Sequence, residues 1–252
     1  MTAADVIAAL ELPPSARVNQ RVPKKLLVEN GAPTATDKRR INEGVEEIHW
    51  LAALKPGTIG VPEYRDETRE YLEIAVLRMT VRPDAQTGRI AELVHRAVPY
   101  PVLLITEAAS SVALSLAHKR WSQSEAGKTV LDGDVVDADL ADMADDRFVQ
   151  SFQAALPLAR QPRATLVALY QGWMDVLLAL HAARLTGTFV TAPSAEHAAA
   201  RRDALHECAQ LEARIVTLRV AAEKERQVAR QVELNLELMR VHADHSAARA
   251  RL

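Results

Sequence analysis

The stretch Tyr71–Val81, YLEIAVLRMTV, followed by 88–98, GRIAELVHRAV, and by the short apolar runs 102–106 and 112–117, VLLIT and VALSLA, decides the fold class. The first run is rich in β-branched and aromatic residues and predicts a strand; the second has the spacing of an amphipathic helix. The last two, separated by AASS, predict an antiparallel hairpin in the same sheet. Strand, helix and hairpin in that order indicate a small mixed sheet in an α/β (α+β) domain.

Working outward, 5–11 predicts a short helix closed by Pro13 and Pro14. Residues 16–31, ARVNQRVPKKLLVENG, predict an irregular basic segment. Thr36 or Asp37 is positioned to cap a helix running to about Leu54, because Ile41, Val45, Ile48, Leu51 and Ala52 share one face at helical spacing.

Beyond residue 130 the composition changes. Residues 131–147 carry one basic residue against seven acidic ones, which predicts an acidic linker over 131–146 between an α/β domain, 1–130, and an all-α half, 147–252. Its Asp spacing lacks the glycine and terminal Glu of an EF-hand loop. Helices are expected over 147–160 and 163–186, broken by Pro157 and Pro162, with Ser194 capping a final helix.

That final segment has apolar positions alternating by four and three, and no Pro or Gly from 195 to 252. It therefore predicts one continuous rod of roughly 85 Å at 1.5 Å per residue, forming a long antiparallel hairpin or coiled coil with the helices before it. Leu211, Ile215, Leu218, Val232, Leu236 and Met239 form its seam, and the distal part, 232–252, is expected to pair with a second copy or a partner subunit.

Bulk properties exclude several classes. A single cysteine, Cys208, on the seam, rules out a disulfide framework and suits a reducing cytoplasm. The N-terminus lacks the pattern of a signal peptide, and the apolar runs recognised, such as 97–109, are too short for a membrane span, so a cytoplasmic protein without membrane contact is expected. There is no HExxH, no Gly-rich phosphate loop and no clustered metal-ligand spacing; no cofactor and no metal is expected. Net charge is -2, so nucleic-acid contact requires a local patch.

Two patches qualify. Arg17, Asn19, Arg21, Lys24 and Lys25, with Lys38, Arg39 and Arg40, are dense enough to grip phosphates of double-stranded DNA or to meet a partner. His118, Lys119, Arg120 and Trp121 add an aromatic that can stack on a base or fill a pocket. The bland alternative for both is salt-bridged surface. The enzymatic alternative is a metal-dependent nuclease, for which Glu46, Glu47, Glu70, Glu73 and Lys119 supply the residue types and Glu47, Glu73 and Lys119 the working set. Glu73 is followed by Ile-Ala, so the usual strand signature with a lysine two positions on is incomplete.

The segments VNQRVPKKLLVENG, VEEIHWLAALKPGTIGVP, REYLEIAVL, RIAELVHRAVPYPVLLI and LSLAHKRW resemble, in that order, a bacterial family known only as a domain of unknown function, over about residues 5–125. Members of that family are commonly encoded beside DNA methyltransferases and superfamily 2 helicases in restriction-like and antiphage defence clusters. The resemblance implies a non-catalytic accessory or specificity-like subunit binding such a helicase or methyltransferase. It carries no catalytic residues onto this sequence, and the helical half departs from the family's short tail. A purely structural homodimer is the third reading.

Overall fold

A computed structural model of the chain describes residues 1–109, 111–125, 127–140 and 148–252. The chain divides into two compact units, Met1–Leu177 and Leu178–Leu252.

The first unit is built on a six-stranded sheet whose centre is the predicted strand, β5 (Ile74–Val81). Six of its eight residues, all but Arg78 and Thr80, are buried, as in a central strand covered on both faces. Helix α5 (Thr87–Ala97) carries the chain to β6 (Val102–Glu107), which lies parallel to β5, and β7 (Val112–Leu116) returns antiparallel. These are the expected elements in the expected order.

On the other side of β5 lies β2 (Val45–Leu54), antiparallel to it, and then β1 (Arg17–Arg21) at the edge. Here the structure corrects the sequence reading: α3 (Ala35–Gly44) ends at Gly44, and 45–54 are strand. Register shifts lie between Val45 and Glu47 and between Trp50 and Ala52. Each changes the parity of the strand, so the buried positions Val45, Ile48 and Ala52 fall three and four apart and imitate a helical stripe. Thr34, not Thr36 or Asp37, caps α3 by accepting from the Asp37 amide at 3.1 Å.

The basic segment is likewise ordered, as β1 and α2 (Lys24–Gly31). Helix α2 sits close against α5: a Cβ at Gly31 would meet the Leu93 carbonyl at 2.5 Å and the Ala97 Cβ at 2.6 Å, so this contact requires glycine. Leu27, Ile41, Ile90, Leu93 and Val94 from these helices close over Ile48, Met79 and Leu104 of the sheet.

The acidic stretch is not a linker throughout. Val136–Asp139 forms β10, antiparallel to β7 at the far edge of the sheet. Ala138 and Leu140 are buried while Asp137 and Asp139 are exposed, the period-two alternation of a half-covered strand. Residues 141–146 lie outside the described residues. The short pairs β3 (Tyr64–Arg65) with β4 (Glu70–Tyr71), and β8 (Lys119–Trp121) with β9 (Thr129–Leu131), complete the strands among the described residues.

The first unit extends past the expected boundary at 130 because helical residues are bonded into it. Helices α1 (Ala3–Ala9), α4 (Pro56–Ile59), α6 (Val149–Ala155) and the start of α7 (Leu166–Thr186) belong here. The buried Tyr170 hydroxyl donates to the Val102 carbonyl at 2.7 Å and accepts from the Ala117 amide at 2.8 Å; Trp173 Nε1 donates to the Leu156 carbonyl at 2.9 Å. The sequence reading also underrated α7, which by length and composition is apolar enough to cross a membrane, yet 72% of its most apolar window is buried. That is the character of a core helix.

The second unit contains α8 (Ala195–Lys224) and α9 (Val228–Arg249). Ser194 caps α8 as expected, accepting from the His197 amide. The continuous rod does not form. The chain reverses over residues 225–227, where the Glu225 carboxylate accepts from the amides of Arg226 and Gln227 at 2.8 and 2.9 Å, capping α9 without Pro or Gly. Arg214 to Glu237 at 2.6 Å, Glu212 to His245 at 3.1 Å, and Glu207 to Arg251 show the antiparallel pairing.

Candidate interaction surface

The structure sorts the sequence-predicted site residues by what holds them. Lys119 is 2% exposed, and its ammonium donates to the carbonyls of His95 and Val98, closing the C-terminal end of α5. Burial pushes its pKa down to about 8. His118 is also buried. With Nε2 donating to the Gln171 Oε1 at 2.7 Å, Nδ1 accepts from the Tyr71 hydroxyl, inside a cluster of Tyr71, His118 and Tyr170 rings. Neither side chain is available to a phosphate. Arg120 faces Asp132 at 3.6 Å, and the Trp121 amide donates to the Thr68 carbonyl, with both side chains partly exposed, so His118 and Lys119 are the members of the second predicted patch that serve the core.

The first patch divides. The Lys24 ammonium donates to the Val45 carbonyl, Lys25 pairs with Glu29 at 3.6 Å, Arg39 with Glu43 at 2.9 Å and Arg40 with Asp37 at 3.1 Å. Asp37 is a clamp between α3 and α5: its buried carboxylate accepts from Arg89, Thr34 and Arg40, and the Arg89 guanidinium above all holds its pKa down to about 2. Arg17, Arg21 and Lys38 remain exposed, with no hydrogen-bond or ion-pair partner for their side chains among the described residues.

Arg17 and Arg21 lie on the edge strand β1, with Asn19 between them in the left-handed region at φ 53°. The register of β1 on β2 shifts between Arg17 and Gln20, so Asn19 is a backbone device at an irregularity in the strand. Flanking charges and an irregular edge discourage addition of another strand, which leaves side chains to do any recognition. Beside Arg21 opens a cleft of about 320 Å³ lined by Arg21, Val22, Leu26, Trp50, Val98 and Tyr100, whereas Arg17 and Asn19 line a separate cleft with Ile7 and Leu51. Leu26 is 48% exposed and Tyr100 38%. Trp50 Nε1 donates to the Ala52 carbonyl at 2.8 Å, which fixes its indole at the cleft wall.

Trp, Tyr and Arg around one apolar hollow are the residue types that anchor protein and base contacts. Sequence reasoning found the arginines but missed Leu26, Trp50 and Tyr100, because 45–54 read as helix and Tyr100 stood between two prolines. A larger cleft of about 740 Å³ near Arg96, Arg120 and Lys128 is less suited: those cations are engaged by Glu92, Asp132 and Glu125.

The nuclease set is not brought together. In the β2 and β5 ladder Glu47 stands opposite Thr80, whereas Glu73 precedes Ile74, whose partner is Leu54. Seven residues of strand, about 23 Å, separate the two carboxylates along the sheet. Glu73 is buried and paired with Lys55 at 2.9 Å, with its Oε1 lacking a partner among the described residues. Among the described residues no three His, Cys, Asp or Glu side chains are placed so that they could hold a metal ion together.

A family model matches residues 10–244, most of the chain. The chain belongs to the family described as Domain of unknown function (DUF4391). The DUF4391 match runs through α8 and most of α9, so the helical half follows the family pattern rather than departing from it beyond about residue 125. No curated protein and no solved structure matches the chain.

Proposed function

We propose that this chain is a non-catalytic accessory or specificity-like subunit of a bacterial DNA restriction or antiphage defence complex, binding the helicase or DNA methyltransferase of that system and touching DNA from the same side. The reading of the genomic setting comes from the resemblance of the motif segments to a family encoded beside such enzymes. The observation that carries the binding role is the β1 edge: Arg21, without a side-chain partner among the described residues, lines the hollow of Trp50, Leu26 and Tyr100, and Arg17, likewise unpaired, stands four residues away on the same strand. Free cations beside an aromatic wall gain more from a phosphate or a carboxylate on a partner than cations already held in surface pairs.

Reversal of both arginines, Arg17→Glu with Arg21→Glu, tests this in the full chain co-expressed with the neighbouring helicase and methyltransferase. Both side chains are exposed, so thermal stability should hold. Retention of the partner, or DNA affinity measured at two salt concentrations, should weaken by about tenfold or more, with a shallower salt dependence for DNA. Unchanged partner retention and unchanged DNA binding together remove the β1 edge from this role. Lys24 and Lys25 are poorer probes, because the Lys24 ammonium is tied to the Val45 carbonyl.

A further inference from the structure

Helix α9 carries two apolar stripes. Leu234, Leu238 and Val241 pack with Ile215, Leu218 and Ala222 of α8. Ala229, Val232, Leu236, Met239 and Ala243 recur at alternating spacings of three and four on the opposite side, since Leu236 stands two residues, about 200°, from Leu234. Val232 and Leu236 are each 52% exposed and Met239 69%. Isolated exposed apolar residues are ordinary, but a stripe repeated over four turns is the pattern of a second helix contact.

We propose that a second copy of this chain covers this stripe, with α9 lying antiparallel against α9 and the two α8–α9 hairpins forming a four-helix assembly. The charges choose both the occupant and the direction. With Ala229, Leu236 and Ala243 at the first core position of each heptad and Val232 and Met239 at the second, the flanking positions are Glu233 and Arg240 on one side. On the other side they are Val228, Asn235, His242 and Arg249.

A parallel pair sets one flank against the other, Val228 opposite Glu233 and Asn235 opposite Arg240, and gains no ion pair. An antiparallel pair sets each flank against itself. Glu233 then meets Arg240 of the second copy, and by symmetry Arg240 meets its Glu233, while Leu236 packs on Met239 and Val232 on Ala243 across a two-fold between residues 237 and 238. One register satisfies the apolar and the charged positions together. Arg240 is exposed and has no partner for its guanidinium among the described residues. Glu233 is 63% exposed by side chain and meets only Arg230, at 2.6 Å one turn away, a surface pair that leaves it free to exchange. This inference rests on α9 alone and not on the reading of the first unit.

Sedimentation equilibrium of the full chain at about 100 µM, the range expected for a modest helical interface, tests it. The expected mass is twice 27.7 kDa. Leu236→Glu with Met239→Glu should give a monomer with unchanged helix content, because both residues are exposed in the hairpin. Glu233→Arg should weaken association by about tenfold, and adding Arg240→Glu should restore it to within about threefold, since the two ions merely exchange places. A monomeric native chain overturns the proposal, even if a different protein is later found on the stripe. So does a dimer that survives the Glu pair of substitutions, a charge reversal without effect, or a double reversal that does not recover.

Discussion

In the first unit many buried polar groups are held by named partners, whereas in the second the interior of the α8–α9 hairpin is mostly an apolar seam, with Arg201 a buried charged residue on α8. The sheet unit spends Tyr170 on Val102 and Ala117, Lys119 on the end of α5, and Asp37 on Arg89 and Arg40. The α8–α9 hairpin packs Ile215, Leu218, Ala222, Leu234 and Val241 together and leaves its ion pairs at the surface. Each satisfied buried donor or acceptor costs dearly if its partner is lost, so the first arrangement specifies one conformation tightly. A seam with solvated charges tolerates change and offers a second face, as α9 does.

The largest separation between the two should come from paired truncations. Trp173→Ala removes a fully buried indole whose nitrogen is hydrogen bonded, and should cost about 4 kcal/mol in denaturant unfolding of the sheet unit. Leu234→Ala in the hairpin should cost about 2–3 kcal/mol and reduce helix content while leaving near-ultraviolet signals of the sheet unit intact. Equal losses spread over both sets of signals would contradict this contrast.

These contrasts show how much was legible beforehand. β5, α5 and the β6–β7 hairpin were, because their apolar patterns have one period and clear stops. β2 was not, since its two register shifts turn a period of two into spacings of three and four. The acidic count over 131–147 hid the alternation of Val136–Leu140. The reversal at Glu225 carries no Pro or Gly, so a break made by a side-chain cap reads as an unbroken helix. For the surface, Lys119 and Arg21 look alike in sequence; only the fold reveals that one closes a helix and the other stands free.

A smaller effect follows from pH. Burial pushes the His95 imidazole down to about 3, while its ordinary value is 6.5. The unfolded chain therefore takes up a proton that the folded chain refuses between those values, so stability from this site is whole above 6.5 and is lost as pH falls toward 3. Between pH 7.5 and 5 the sheet unit should lose about 2 kcal/mol, read by urea unfolding at each pH. Asp37 adds a further loss only below its ordinary 3.8, as its carboxylate protonates toward about 2. The hairpin signals should be the less affected of the two.

The central proposal is that this chain acts by presenting a surface at β1. Hydrogen exchange of the full chain, alone and mixed with the helicase or methyltransferase proposed as its partner, reads that surface directly. The account predicts new protection in the peptides covering Arg17–Gly31 and Trp50. Protection confined to the β10 edge or the β8–β9 pair, with β1 exchanging as in the free chain, would contradict it.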